Sequence, residues 1–81
     1  GFNQLIEKIG PLPYDVIEVV KCYLENNFNL SMGAKALYMH RNTFMNKLER
    51  FIQVTGLNVK EFKHAIVAYV LIKNIELPHN M

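Results

Sequence analysis

The stretch Asn29–Leu48, NLSMGAKALYMHRNTFMNKL, decides the fold of this chain. It reads as two short helices joined by a tight corner: the first over Leu30–Leu37, the corner at Tyr38-Met39-His40, the second starting at Arg41. Ala34 falls where the two helices cross, and a side chain that small lets the backbones approach. Leu37 and Met39 supply apolar contacts beneath the corner, while Phe44 and Leu48, four apart, anchor the second helix. A small residue at the crossing, an apolar corner and an anchored second helix together describe a helix-turn-helix, a motif whose second helix enters the DNA major groove. Tyr38 stands at the corner where glycine is common, so a less strained corner, or a ring packed beneath it, is expected.

The second helix continues to Thr55, because Phe44, Leu48, Phe51, Ile52 and Thr55 recur at helical spacing. At about 100° per residue, the opposite face is centred on Asn46, with Asn42, Glu49, Arg50 and Gln53 around it and Thr43 near its edge. Gly56 supplies a left-handed stop, followed by the apolar Leu57. Asn58-Val59-Lys60-Glu61 reads as a capping box opening a last helix over Val59–Asn74. Phe62, Ala65, Ile66, Tyr69 and Val70 form its apolar stripe; Val67, Ala68, Leu71 and Ile72 make it apolar nearly all round, so it requires cover on more than one side.

Upstream, Asn29 is a natural N-cap for the first helix of the pair, with Ser31 the alternative. A supporting helix precedes it, with Pro13 as its first residue, Asp15 and Glu18 complementing its dipole, and Ile17, Val20 and Leu24 along its core face, flanked by Val16 and Tyr23. It ends near Asn26-Asn27, and Phe28 is expected to tuck into the core. Phe2, Leu5, Ile6 and Ile9 form a further amphipathic helix, closed by Gly10-Pro11. The expected organisation is therefore an all-α domain of four to five helices: residues 1–11 a short linker helix, 12–76 the helix-turn-helix domain, 77–81 a frayed end.

Eighty-one residues, 51% of them hydrophobic, suit one small folded domain and exclude a disordered tail. Domains of this size are often marginal alone, which makes a dimer a reasonable expectation. Gly1 in place of Met fits a fragment of a longer protein. A lone Cys22 allows no disulfide framework within one chain and fits a reducing, cytoplasmic setting. The apolar run Ala65–Ile72 is too short to span a bilayer as a helix. The net charge of +2 is unevenly placed: −2 over residues 1–30, +3 over 31–50 and +1 over 51–81. The positive block coincides with the helix pair, as a DNA-facing surface requires, although a solvated helix face gives the same count.

The candidate DNA-binding residues are Ser31, Lys35, His40, Arg41, Asn42, Thr43, Asn46, Lys47 and Arg50. His40, Arg41, Asn42 and Thr43 form a helix N-terminal turn, whose outward N–H groups favour phosphate. Arg41 can grip a phosphate or fork onto guanine O6 and N7; Asn42 and Asn46 match adenine N7 and N6; Thr43 suits a phosphate or a thymine methyl. Lys47 and Arg50 on one side, with Ser31 and Lys35 from the preceding helix, read as phosphate contacts. Met45 packs at the core edge or meets a thymine methyl, and Glu49 points away from the phosphates. On spacing alone the same residues also describe a plain helix N-terminus with solvated neighbours.

His40-Arg41-Asn42-Thr43, followed by an apolar residue and then Leu48, resembles the HRNTL-x3-L signature of PucR/CdaR-type bacterial transcriptional regulators. Tyr23-Leu24-Glu25-Asn26-Asn27 before Asn29-Leu30, and Leu48-Glu49-Arg50 and Thr55-Gly56-Leu57 after it, extend the resemblance from Leu12 to Asn74. More distantly the pattern is similar to the Fis-type helix-turn-helix. The resemblance implies a C-terminal DNA-binding domain attached to an N-terminal sensory or regulatory region, working as a homodimer on double-stranded DNA. Such regulators commonly carry Arg-Tyr-Arg where this chain has Met45-Asn46-Lys47, which puts its base preference apart from theirs. The alternative is a protein-interaction or dimerisation module that keeps the fold without touching DNA. An enzyme is not expected: His40, His64 and His79 have no ligand spacing beside Cys22, there is no acid–base constellation, and no metal or cofactor is implied. His64 reads as a polar-face residue and Cys22 as a small, half-buried side chain.

Overall fold

A computed structural model describes residues 2–76 and places five helices among them: α1 (Phe2–Ile9), α2 (Tyr14–Glu25), α3 (Leu30–Ala36), α4 (Arg41–Thr55) and α5 (Phe62–Glu76). The end expected to fray, 77–81, lies outside the described residues. The domain is all-α, as the sequence predicts, and α3 and α4 form the helix-turn-helix. Helix α2 lies against α3, α4 and α5, so it is the support on which the pair sits. Helix α1, read from sequence as a linker, packs on α4 and buries Ile9 completely in the common core.

Helix α4 has the predicted bounds, and its apolar residues Phe44, Leu48 and Phe51 are wholly buried beneath it. Each such side chain contributes about 1.5–3 kcal/mol relative to leaving it in water. At the α3–α4 crossing the expected Ala34 is buried, and so is Gly33 beside it, which meets Phe44 of α4. A Cβ on Gly33 would stand 2.6 Å from Cζ of the enclosed Phe44 ring. The absent side chain is what admits the ring.

Two left-handed corners end α2 and α3 in the same way. After α2, Asn27 N–H donates to Leu24 O (3.2 Å) and Phe28 N–H reaches back to Tyr23 O (3.0 Å). After α3, Tyr38 N–H donates to Lys35 O (3.1 Å) and Met39 N–H to Ala34 O (2.9 Å). Both are Schellman closures, which require a residue of positive φ just past the helix. Here those residues are Asn27 (φ 59°) and Tyr38 (φ 53°), so the corner is left-handed despite lacking glycine. Both expectations for Tyr38 fail: its backbone is strained, and its ring is 98% exposed because Ala34, Leu37 and Met39 already fill the space below. Phe28 is likewise not in the core; at φ 65° its ring leans on Tyr23 with centroids 5.6 Å apart and stays partly exposed. Gly56 (φ 75°) is the one left-handed stop that carries the favoured residue.

Two further boundaries differ from the sequence reading. Pro13 is the N-cap of α2, not its first helical residue: with ψ at 145° it is still extended, and its carbonyl accepts from Val16 and Ile17. Asn29 does cap α3, accepting from Met32 N–H at 3.0 Å. Asn58–Glu61 forms a turn before α5, in which Asn58 accepts from Lys60 N–H through its side chain (3.2 Å) and from Glu61 N–H through its backbone carbonyl (2.9 Å). This Asx-type bonding competes with a capping box, so α5 starts at Phe62, three residues late. Finally, α5 turns Ala65, Ala68, Leu71 and Ile72 inward, while Phe62, Ile66 and Val70 of the expected stripe stay exposed. Helix α5 packs on α2 with its alanines buried, and the bulkier stripe is left outside.

Replacing Gly33 with Ala gains about 1 kcal/mol of helix propensity, but overpacking an enclosed ring costs about 1–3 kcal/mol. With Phe44 fully buried, the net effect is a loss of up to about 2 kcal/mol, seen as a lowered thermal midpoint. A variant melting at or above the parent would show that the crossing is looser than described.

Candidate nucleic-acid interface

The outer face of α4 carries Asn42, Thr43, Asn46, Arg50 and Gln53, all exposed, opposite the buried Phe44, Leu48, Phe51 and Thr55. Helical period alone produces this division: once the aromatic row is buried, residues half a turn away must face water. Ser31 and Lys35 of α3 and His40 and Arg41 at the corner are exposed as well. Of the nine residues proposed from sequence, only Lys47 is half-buried.

His40 is the N-cap of α4, and its Nδ1 accepts from Asn42 N–H at 3.1 Å. An accepting Nδ1 places the ring proton of the neutral imidazole on Nε2. The cap fixes the start of α4, and Arg41, Asn42 and Thr43 project from its first turn, where unpaired backbone N–H groups favour an anion.

Lys47 is engaged within the chain. Its ammonium donates to Asp15 Oδ2 at 2.6 Å, joining the N-terminal turn of α2 to the middle of α4. That hydrogen bond holds the Asp15 carboxyl below the usual carboxylate range, with the charge of Lys47 and the helix N–H groups acting in the same direction against partial desolvation. Glu49 is tied to Lys60 at 2.6 Å. The described ion pairs thus engage Lys47, Lys60 and Lys73 and leave Arg41 and Arg50 to solvent. Pro13, Asp15 and Val16 of the α2 start and Thr43, Asn46, Lys47 and Arg50 of α4 line one open polar groove. Asp15 is the residue of this surface that the sequence does not reveal: its local pattern makes it only a dipole partner for its own helix, and nothing nearby signals a lysine 32 positions away.

Elsewhere the polar groups serve the fold. His64 Nδ1 accepts from Asn58 N–H at 2.8 Å, which pins the turn before α5. Cys22 Sγ reaches Gly33 O at 3.4 Å, and burial pushes its thiol up, reinforced by Glu25. No group of three or more His, Cys, Asp or Glu among the described residues could hold a metal ion. Among them, too, no helix is long and apolar enough to cross a membrane.

Residues 16–73 match the family of PucR C-terminal helix-turn-helix domains. The chain is 35% identical over 54 residues to the uncharacterized protein YxkF of Bacillus subtilis (strain 168), covering 67% of this chain and 18% of that protein. It is 34% identical over 58 residues to a protein of Streptococcus dysgalactiae subsp. equisimilis named leucine-rich protein, covering 72% of this chain and 21% of that one. The chain therefore spans about a fifth of the length of these relatives. No solved structure matches it.

The Asp15–Lys47 pair is testable without any partner. A carboxyl held below its ordinary value stabilises the fold at neutral pH, and that contribution is lost as pH falls through the lowered midpoint. Lys47→Ala should return the Asp15 midpoint upward to the ordinary carboxylate range, read by NMR titration of its side-chain carbon. An unmoved midpoint would mean the pair does not form in solution.

Proposed function

The chain belongs to the family of PucR C-terminal helix-turn-helix domains, and from that premise we propose that it is the sequence-specific DNA-binding domain of a bacterial transcriptional regulator, with α4 in the major groove. The observation that carries this reading is the polar, exposed face of α4 with Arg41 and Arg50 committed to no carboxylate, set on a helix pair whose corner is locked. In this arrangement Arg41, at the first turn, takes a phosphate or a guanine edge, and Asn42 and Asn46 read adenine. Thr43 contacts a phosphate or a thymine methyl. Ser31, Lys35 and Arg50 flank the groove and bind the backbone, and His40 offers its Nε2–H beside the same turn.

Lys47 acts as a phosphate contact held in reserve. A phosphate approaching it competes with Asp15, so the carboxylate weakens indiscriminate binding to the DNA backbone. In the working protein the domain acts in the cytoplasm on nucleoid DNA, pairs as a homodimer addressing half-sites about one helical turn apart, and answers to an N-terminal sensory region. The second reading, an interaction module with no DNA contact, draws on the two carboxylates Asp15 and Glu49 beside the polar groove.

Binding to duplex fragments across several salt concentrations separates the two. Arg41→Ala with Lys47→Ala should weaken binding at least tenfold and reduce the steepness of its salt dependence, since each lost phosphate contact removes about 0.9 from the slope. Asp15→Asn should act in the opposite direction, tightening non-specific binding several-fold by releasing Lys47. Affinities and slopes unchanged in both variants would rule out this face. Asn42→Ala should relax preference at one base position in a binding-site selection; an identical selected motif would remove Asn42 from base reading.

A further inference from the structure

Among the described residues, Asn27 (59°), Phe28 (65°), Tyr38 (53°) and Gly56 (75°) hold a positive φ. Glycine enters this region freely, and asparagine more readily than most residues. Phe28 recovers a ring contact there, with its centroid 5.6 Å from that of Tyr23. Tyr38 recovers nothing. Its ring is 98% exposed and takes part in none of the described side-chain hydrogen bonds or ring contacts. A bulky side chain at this corner costs stability that glycine would spare, and the domain buries nothing in exchange. Resting on the DNA reading above, we propose that Tyr38 is a further DNA contact, donating its hydroxyl to a phosphate of the duplex that α4 engages.

Exposure alone would not single this residue out. Tyr14 is 71% exposed as well, but it opens a regular helix, where its backbone is unstrained. The other two tyrosines serve the fold: Tyr23 is buried, and Tyr69 donates to Glu25 at 2.9 Å. Strain without any internal contact to offset it occurs, among these aromatics, at Tyr38.

The corner also puts the ring within reach of the proposed site. Tyr38 N–H donates to Lys35 O (3.1 Å), Met39 N–H to Ala34 O (2.9 Å), and Asn42 N–H to the capping His40 (3.1 Å). The backbone on both sides of the ring is therefore held. Ala34, Leu37 and Met39 occupy the space inward of it, so the side chain projects from the surface. In the chain it stands between the exposed Lys35 and Arg41. Tyr38 precedes Arg41 by three residues, at most about 11 Å of backbone. Successive phosphates on one strand advance about 3.4 Å along the duplex axis. A duplex gripped at Arg41 thus presents further phosphates inside the reach of the Tyr38 hydroxyl.

The chemistry of such a contact differs from that of the basic residues. A phenol hydroxyl donates one hydrogen bond and carries no charge. It adds affinity without releasing a counterion, so it leaves the salt dependence of binding unchanged. It reads no base, so it favours every sequence alike and helps to fix the orientation of α4 on the duplex.

Thermal midpoints and duplex affinities at several salt concentrations test this with three variants of the 81-residue chain. Tyr38→Gly relieves the corner, so its midpoint should rise by about 4 °C while binding weakens about fivefold or more. Stability and binding then move in opposite directions, which a purely structural role would not produce. Tyr38→Phe keeps the strain and loses only the hydroxyl. It should melt with the parent and bind about fivefold more weakly, by the same factor at every salt concentration and on every duplex sequence. Arg41→Ala should weaken binding and also flatten the salt slope. Tyr38→Phe binding like the parent would overturn the assignment, and with Arg41→Ala still weakened it leaves the DNA reading standing. A Tyr38→Gly midpoint at or below the parent's would overturn it too, by showing an unstrained corner. A parent that binds no duplex at low salt ends the DNA reading and this contact together.

Discussion

The ring of Phe44 seated against the bare backbone of Gly33 is the contact on which the rest of the domain depends. It sets how closely α3 and α4 cross and fixes the rotation of α4 about its own axis. With Phe44, Leu48 and Phe51 inward, a helix of 3.6 residues per turn has no choice about Asn42, Asn46 and Arg50. The surface assigned to DNA is thus the complement of the core. Any change that rotates α4 to relieve that contact re-aims every side chain on the outer face at once.

Helix α2 gives this pair its footing and joins the two surfaces of the molecule. At its start, Asp15 reaches Lys47 on α4; at its end, Glu25 takes Tyr69 and Lys73 of α5. Between them, Val16, Val19, Val20 and Tyr23 are buried against the common core. The polar groove thus lies at one end of α2 and an apolar groove, walled by Leu24, Phe28, Ile66 and Val70, at the other.

What was legible in the sequence was local. Asn29 as a cap, the span of α4, Gly56 as its stop and the burial of Phe44, Leu48 and Phe51 all follow from period and capping chemistry within one or two turns. The outward Asn42–Asn46–Arg50 row came with them, since it is the same period read from the other side. The misplaced features need knowledge of what lies opposite. Gly33 and Ala34 are equivalent as small residues until Phe44 is known to sit over the first. Tyr38 adopts positive φ because a Schellman closure imposes it, and Phe28 follows the closing Asn27 in the same left-handed turn; side-chain type alone gives no warning of either. Helix α5 carries two apolar stripes, and only its contact with α2 selects the alanine one as core. The Asp15–Lys47 pair spans the fold and has no local signature.

We propose that the exposed face of α4 touches duplex DNA. Backbone amide NMR of the labelled chain, titrated with a duplex, tests it most directly. The expected shifts concentrate at His40–Arg50, with smaller ones at Ser31 and Lys35 and at Asp15 as Lys47 changes partner, while Phe62, Ile66 and Val70 stay still. Shifts centred on α5 with α4 unmoved, or no shifts at low salt, would contradict it.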